Sequence, residues 1–500
     1  NGIDNIRLKL LKIIAPYCIN HITHILNTSL SLSVVPSIWK KSIIIPVPKT
    51  SNPANMNDLR PISILPTLSK ILEKVVHQQL YSHVERYVIP DVQSGFRPFR
   101  STNSALLKLT NDFAASIDKM EVNVLILLDY SKAFDVINHE LLLAKLAYYG
   151  LSDSALNWFR SYLCNRAQCV KMYNVMSDEM SVIKGVPQGS ILGPLLFIVF
   201  ISDLPSVTTP DCKLLQYADD TQLYASSSPH KINEAIQSIN LNLQRISDWS
   251  TANGLIINPS KTIAMCVGSS AMRVRAFEHL TVRISINNIE IEFSEEAKNL
   301  GVWFDSNLNF EKHTKMMLQS SFVKFKHFYS FKKILPATIK WSLVRNLILT
   351  RFYYCCAVYY PFLTGELKYK IQLLQNSCLR FSFNVNFRYH VTPFYYRYSI
   401  LKMKESLTSQ YIMLLYNVVR HKNPNYLYDL LQLRSDLHCV NTRHKYFYNI
   451  PPYRTSKYQC AFAILAPRLI NEFMSILESG NNVPTIRNKL KSRLLQLYAV

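Results

Sequence analysis

A chain of 500 residues with 48% hydrophobic residues and only 11 glycines excludes a largely disordered or low-complexity protein and leaves room for roughly two to four packed domains. Its net charge of +23 is uneven: residues 306–500 hold 28 of the 56 Lys and Arg, 7 of the 33 Asp and Glu, and 34 of the 58 aromatics. Basic residues interleaved with Tyr and Phe suit a surface that follows a phosphate backbone and stacks bases, so nucleic acid is favoured over an anionic membrane as partner.

The opening residues lack an initiator Met and a signal peptide, so the chain reads as cut from a longer polypeptide. The ten Cys are expected to be free thiols in a reducing, intracellular compartment, and Cys439, His444 and Cys460 match no common zinc spacing. Residues 1–39 read as a helical extension. "SIIIPVPKT" (42–50) is a β-type run closed by prolines, and "LRPISILPTLSKILEKVVHQQLYSHVER" becomes helical in its later part. "SGFRPFRST" (94–102) is a basic loop before an amphipathic helix. "VNVLILLDY" (122–130) is a continuous apolar run ending in a carboxylate, the pattern of a buried central strand with a functional end. Two helices and a strand pair follow, then a loop and buried helix in "PQGSILGPLLFIVFISDLP". The apolar run of that helix contains Gly and Pro and is too short to span a bilayer, so no membrane partner is expected. "LLQYADDTQL" (214–223) reads as a hairpin with Asp219 and Asp220 at its tip, Asp being tolerant of left-handed backbone. A long helix, the strand "KTIAMCVG" and further strands lead to a mostly helical region after 306, so the class is α+β with a helical appendage.

If the strand ending in Asp129 lies beside the hairpin, three carboxylates converge at one sheet edge. Three like charges so close cannot all ionise cheaply. A pair of hard divalent cations removes that cost, which points to two Mg²⁺ ions, with Mn²⁺ as a substitute. Two such ions about 3.5–4 Å apart suit an in-line phosphoryl transfer.

The stretches "LLDYSKAFD" (127–135), "KGVPQGSILGPLLFIVFISDLP" (184–205) and "QYADDTQLYASS" (216–227) resemble, in order, the palm motifs of reverse transcriptases. "NDLRPISILPTLSKILEK", "QSGFRPFRST", "NGLIINPSKT" and "NLGVWFD" resemble the surrounding blocks, with the likeness strongest to non-LTR retrotransposon polymerases of the Jockey-like group. The resemblance implies a right-hand polymerase: fingers and palm over 40–305, a helical thumb over 306–400 and a basic, aromatic-rich helical region over 401–500. It implies RNA-directed DNA synthesis from dNTPs on an element RNA template, primed by nicked target DNA. Asp129, Asp219, Asp220 and the Tyr130 carbonyl would hold the metals. Lys261 would protonate the leaving pyrophosphate. Lys49 and Arg60 would hold the triphosphate, Phe134 would exclude a 2′-OH, and Gln188 and Gly189 would lie under the template–dNTP pair. Arg97 and Arg100 would contact template phosphates, and the Leu300–Gly301 turn would grip the primer. The group carries an endonuclease upstream, which is expected to be missing from this chain, and works as a ribonucleoprotein in cytoplasm and nucleus. Two other readings share the palm: a non-catalytic RNA-binding remnant, and an RNA-dependent RNA polymerase, against which Phe134 and "YADD" in place of GDD weigh.

Overall fold

The computed structural model describes residues 2–50, 52–173, 175–437, 445–479 and 482–496; Cys439 and His444 lie outside them. Helix α1 (Leu8–Ser31) leads to the antiparallel pair β1 (Lys41–Pro48) and β2 (Leu59–Ile64). Helices α2 (Thr67–Val84) and α3 (Thr102–Asp118) flank the basic loop. Next come β3 (Val122–Leu128), α4 (His139–Tyr148), α5 (Asp153–Leu163), β4 (Arg166–Met172) and the short β5 (Val175–Met176) and β6 (Met180–Val182). Helix α6 (Leu192–Phe200), the hairpin β7 (Lys213–Tyr217) and β8 (Asp220–Ser227), helix α7 (Ile232–Ala252) and β9 (Ile263–Val267) complete the central part.

These strands form two main sheets. A fingers sheet runs β2-β1-β4-β5 with β6 on β4, and a four-stranded antiparallel palm sheet runs β7-β8-β3-β9. The α+β class holds. The continuous apolar run of β3 follows from burial on both faces. Val122, Val124, Ile126 and Leu128 join the core beneath α2 and α4 to α7, whereas Leu125 points into a second core on the opposite face.

That second core is built from α3 and the C-terminal helices. Leu106 and Phe113 of α3 share it with Ile371 and Leu374 of the helix Gly365–Ser382, Tyr411 and Leu415 of Met403–His421, and Phe462 and Ile470 of Phe462–Glu478. Residues on both sides of position 400 thus belong to one core, and packing draws no boundary there. Helix α8 (Ser270–Glu278) and the hairpin β10 (Ile284–Ile286) and β11 (Ile289–Ile291) precede a second hairpin, β12 (Glu296–Asn299) and β13 (Val302–Asp305). No helix among the described residues is long and apolar enough to cross a membrane.

A buried charge joins α3 to the palm sheet. The Asp112 carboxylate accepts hydrogen bonds from Lys108 Nζ (2.7 Å), Tyr224 Oη (2.8 Å) and Lys213 Nζ (3.1 Å). Burial pushes its pKa up, but the two lysines and the tyrosine outweigh that and hold it below the usual carboxylate range. A depressed folded-state pKa contributes stability above the unfolded value, about 3.9, and that stability is lost as pH falls through the folded value. Asp112→Asn should therefore cost about 3 kcal/mol at pH 7 and lose less additional stability than the wild type on acidification below pH 5. Denaturant midpoints measured across that range check this; a gap between the two proteins that does not narrow with acid would count against it.

Candidate active site

The β7–β8 hairpin pairs Tyr217 with Asp220, leaving Ala218 and Asp219 as a two-residue turn. The left-handed residue is Ala218, at φ 56°, and not an aspartate as the hairpin chemistry had implied. The β3–β8 ladder ends at Leu128↔Thr221, so Asp129 emerges beside Asp220 at the same edge. Beyond β3 the chain pairs on its other side with the loop before β9. Asn258 N–H donates to the Asp129 carbonyl and Ser131 N–H to the Ile256 carbonyl, both at 2.8 Å, around the bridge Tyr130↔Ile257. Alternation of antiparallel hydrogen bonding therefore turns the Tyr130 carbonyl the other way, toward the β8 side. The Tyr130 ring is buried, its hydroxyl 3.3 Å from Ser250 Oγ.

The carboxylates feel one another. Burial and Asp129 raise the pKa of Asp219, with Arg60 opposing. Asp220 keeps an exposed face, yet partial desolvation together with Asp219 and Asp129 pushes it up to about 6. Asp129 Oδ2 is buried without a hydrogen-bond partner, and Lys261 Nζ lies 3.7 Å from it, near enough for attraction but not for a hydrogen bond. Repelling carboxylates with an unsatisfied inward oxygen fit a hard cation. No three His, Cys, Asp or Glu among the described residues close into a ready-made cage; Mg²⁺ characteristically takes one or two carboxylates and completes its shell with water and substrate phosphates.

Around this edge the other predicted residues divide. Arg60, exposed on β2, is close enough to stabilise the Asp219 carboxylate. Lys49 sits at the β1–β2 turn, where its ammonium donates to the Asn57 carbonyl (2.8 Å), so the structure does not bring it to the carboxylates. Phe134 stacks on Phe197 (centroids 4.3 Å apart) and meets Phe96 edge-on (6.2 Å). Gln188 donates through Nε2 to Asp135 Oδ1 (2.8 Å), and its carbonyl accepts from Ser63 N–H (2.7 Å). Gly189, at φ 125°, has no room for a Cβ, which would sit 2.5 Å from the Ser63 carbonyl oxygen. This loop is thus fastened to β2, carrying Arg60, on one side and to the Phe134 segment on the other.

Arg97 and Arg100 are engaged inside the protein. Both are buried, each 8% exposed. Arg97 donates to the carbonyls of Pro90 and Gln93, and Arg100 to those of Asp91 and Gln93 and to the Asp91 carboxylate. Their guanidinium groups knot the basic loop together and are not presented to a template. Leu300 (φ 44°) and Gly301 (φ 84°) form the tight β12–β13 turn. Tyr354 from the helical half donates to the Leu300 carbonyl (2.7 Å), and its ring comes within 3.1 Å of where a Gly301 Cβ would lie. Gln222 Nε2 donates to Asn299 Oδ1 (3.0 Å), tying this hairpin to β8.

Two supporting residues were missed by sequence reasoning. Glu73, 1% exposed, accepts from the N–H groups of Ile191 (2.6 Å) and Leu192 (3.3 Å), where α6 begins after the "PQGS" loop. Burial pushes its carboxyl up, against those N–H groups and Arg166. Its signal was a lone acid on the apolar stripe of α2, beside Leu72, Val76 and Leu80. Gln93, buried under the β7–β8 hairpin, gave no such signal.

The family model described as "Reverse transcriptase (RNA-dependent DNA polymerase)" matches residues 47–304. Over 406 residues the chain is 29% identical to a probable RNA-directed DNA polymerase from transposon BS of Drosophila melanogaster, covering 76% of this chain and 42% of that protein. Over 394 residues it is 27% identical to the RNA-directed DNA polymerase from mobile element jockey of the same species, covering 76% and 41%. The chain spans less than half the length of these curated relatives. Among solved structures, telomerase from Candida tropicalis in complex with a TWJ fragment of telomeric RNA aligns with a TM-score of 0.38 and 13% identity over 73% of this chain and 56% of that one.

A guanidinium engaged inside the protein releases no counterions from RNA. Arg100→Ala should lower the melting temperature by several degrees and leave unchanged the slope of log binding constant against log salt for single-stranded RNA. A phosphate contact would instead reduce that slope by about 0.7. Titrations at a series of salt concentrations distinguish the two.

Proposed function

The chain belongs to the reverse transcriptase (RNA-dependent DNA polymerase) family, and from that premise we propose that it copies the RNA of a non-LTR retrotransposon into DNA, adding dNTPs to a primer 3′-OH. The observation that carries this reading is the register that sets Asp129 beside Asp219 and Asp220, with an Asp129 oxygen that has no hydrogen-bond partner in the protein. Catalysis in the family depends on divalent metal. Here Asp129, Asp219, Asp220 and the Tyr130 carbonyl would hold it, as a pair of Mg²⁺ ions for which Mn²⁺ can substitute. When bound, such ions activate the attacking hydroxyl and offset charge on the leaving oxygen.

The protein's own groups supply the remainder. The primer 3′-oxygen forms its bond to the α-phosphorus as the bond to the β-phosphate oxygen breaks. Lys261, 3.7 Å from Asp129, would deliver a proton to the departing pyrophosphate. Arg60, already felt by Asp219, offsets charge on the triphosphate, and Lys49 joins it if the β1–β2 turn folds inward over a bound dNTP. Phe134, backed by Phe197, has a ring that cannot yield easily, so a 2′-OH beside it would collide. The Leu300–Gly301 turn supports the primer end. The partners proposed are element RNA, a nicked DNA target and an endonuclease domain supplied from outside this stretch, assembled as an intracellular ribonucleoprotein.

Primer extension on an RNA template with dNTPs and Mg²⁺ tests the reading. Asp129→Ala and Asp219→Ala should each lower extension by at least about a thousandfold, the loss of several kcal/mol of charge stabilisation, with RNA–primer binding kept within about threefold. Retained synthesis in either variant would overturn the metal assignment. In the same assay Phe134→Ala should narrow the preference for dCTP over CTP by about 10- to 100-fold, the scale of a lost steric contact. Unaltered selectivity would remove Phe134 from the gate.

A further inference from the structure

Ala218 carries a strain that its own hairpin does not relieve. A left-handed backbone costs an L-residue with a Cβ about 1–2 kcal/mol, and Ala218 holds φ 56° directly before Asp219. The β7–β8 ladder closes at Tyr217↔Asp220, so it provides no partner for the N–H and C=O of Ala218. Gln93 provides both. Its Oε1 accepts from Ala218 N–H (2.9 Å), and its Nε2 lies 3.4 Å from the Ala218 carbonyl, to which it donates. Its primary amide carries donor and acceptor in one rigid plane and so bridges both groups.

Gln93 is itself locked. It is 1% exposed. Its Oε1 also accepts from Gly95 N–H (2.7 Å), and its own carbonyl accepts from Arg97 and Arg100, each at 3.3 Å. The segment runs parallel to β7, with Gln216 N–H donating to the Val92 carbonyl (2.9 Å) and Ser94 N–H to the Gln216 carbonyl (2.8 Å). Contact with the turn is so close that a Cβ on Gly95 would lie 2.3 Å from the Ala218 nitrogen. The buried arginines thus anchor the residue that grips the turn.

We infer that Gln93 is a positioning residue: its side-chain amide clamps both peptide planes of Ala218 and so aims the Asp219 and Asp220 carboxylates. The Ala218 carbonyl belongs to the peptide plane that leads into Asp219, so freeing it lets that plane rotate and swings Asp219 relative to Asp129. This inference rests on the polymerase reading above, because aim has consequences only where chemistry occurs at the carboxylates.

Gln93→Met keeps the bulk and removes both bonds. Two measurements decide. The first, amide hydrogen exchange, needs no activity: exchange at Ala218 should accelerate at least tenfold while amides of β3 keep their protection. The second is primer extension. Displacements of about 1 Å cost up to about a hundredfold, so kcat should fall about 10- to 100-fold, with the dNTP KM and RNA–primer Kd within about twofold. Adding Ala218→Gly, which accepts left-handed backbone without strain, should recover about tenfold of that kcat. Unchanged exchange at Ala218 would overturn the clamp. A loosened turn with kcat intact would overturn the positioning role, as would a double variant no faster than Gln93→Met. A wild-type protein that binds RNA and primer but extends nothing would instead overturn the polymerase reading, while exchange still reports whether the clamp exists.

Discussion

The registration of β3 between β8 and β9 is the constraint on which the site depends. Side chains alternate strictly along a strand, so a slip of one residue would exchange its two faces. Here both faces are cored: Val124 and Ile126 on one side, Leu125 on the other, all fully buried. A slip would therefore mispack two cores at once, at a cost of several kcal/mol per displaced large side chain. The distance from Asp129 to the hairpin carboxylates is in this sense set by aliphatic packing well away from them. That packing holds three mutually repelling groups where water and repulsion would otherwise separate them.

Repulsion alone would spread the cluster, and the surrounding loops oppose that. Glu73 accepts the first N–H groups of α6, so the "PQGS" loop cannot lift from the palm. Gly189 meets the Ser63 carbonyl too closely for any side chain, and Gln188 is tied to Asp135, next to Phe134. Arg60, on β2 of the other sheet, is thereby coupled to the carboxylate edge through covalent and hydrogen-bonded steps, without any direct ion pair being needed. Burial first, and the neighbouring carboxylates after it, raise the pKa values of Asp219 and Asp220. A cation offsets this, because positive charge at the edge converts repulsion into shared attraction.

Which parts were legible in the sequence follows from the range of the forces. β3, the β7–β8 hairpin and α6 write their burial into continuous apolar runs, and the carboxylates at the ends of β3 and the hairpin are chemically conspicuous. The right-hand fold was readable from the order of those pieces. The inward hydrogen bonds of Arg97 and Arg100 were not legible, because a basic loop looks the same whether its guanidinium groups face a template or the carbonyls of Pro90, Asp91 and Gln93. Ala218 was missed as the strained residue because Asp is the better left-handed former by propensity; here the clamp by Gln93, from 125 residues earlier in the chain, permits Ala where the hairpin alone would favour Gly, Asn or Asp. The boundary drawn at position 400 corresponds to no change of core.

The helical half has a larger part in the site than its place outside the matched family region suggests. That match ends at residue 304. Yet Tyr354 holds the Leu300 carbonyl, and Tyr426 shares hydrogen bonds with Ser94 Oγ (2.8 Å) and Ser104 Oγ (3.1 Å) while Arg100 lies over its ring (5.4 Å). One tyrosine braces the Leu300–Gly301 turn, and the other braces the loop beneath the Ala218–Asp219 turn. Many of its aromatics, Tyr359, Phe381 and Tyr411 among them, are core, while Phe387, Tyr396 and Tyr398 remain exposed. The same segment can therefore support the palm from behind and still offer cations and rings to a nucleic acid. A palm of residues 47–304 alone would keep its carboxylates but lose the cover over Leu125 and both tyrosine braces, so the unit that folds and aims the site must extend well past the region that carries the motifs.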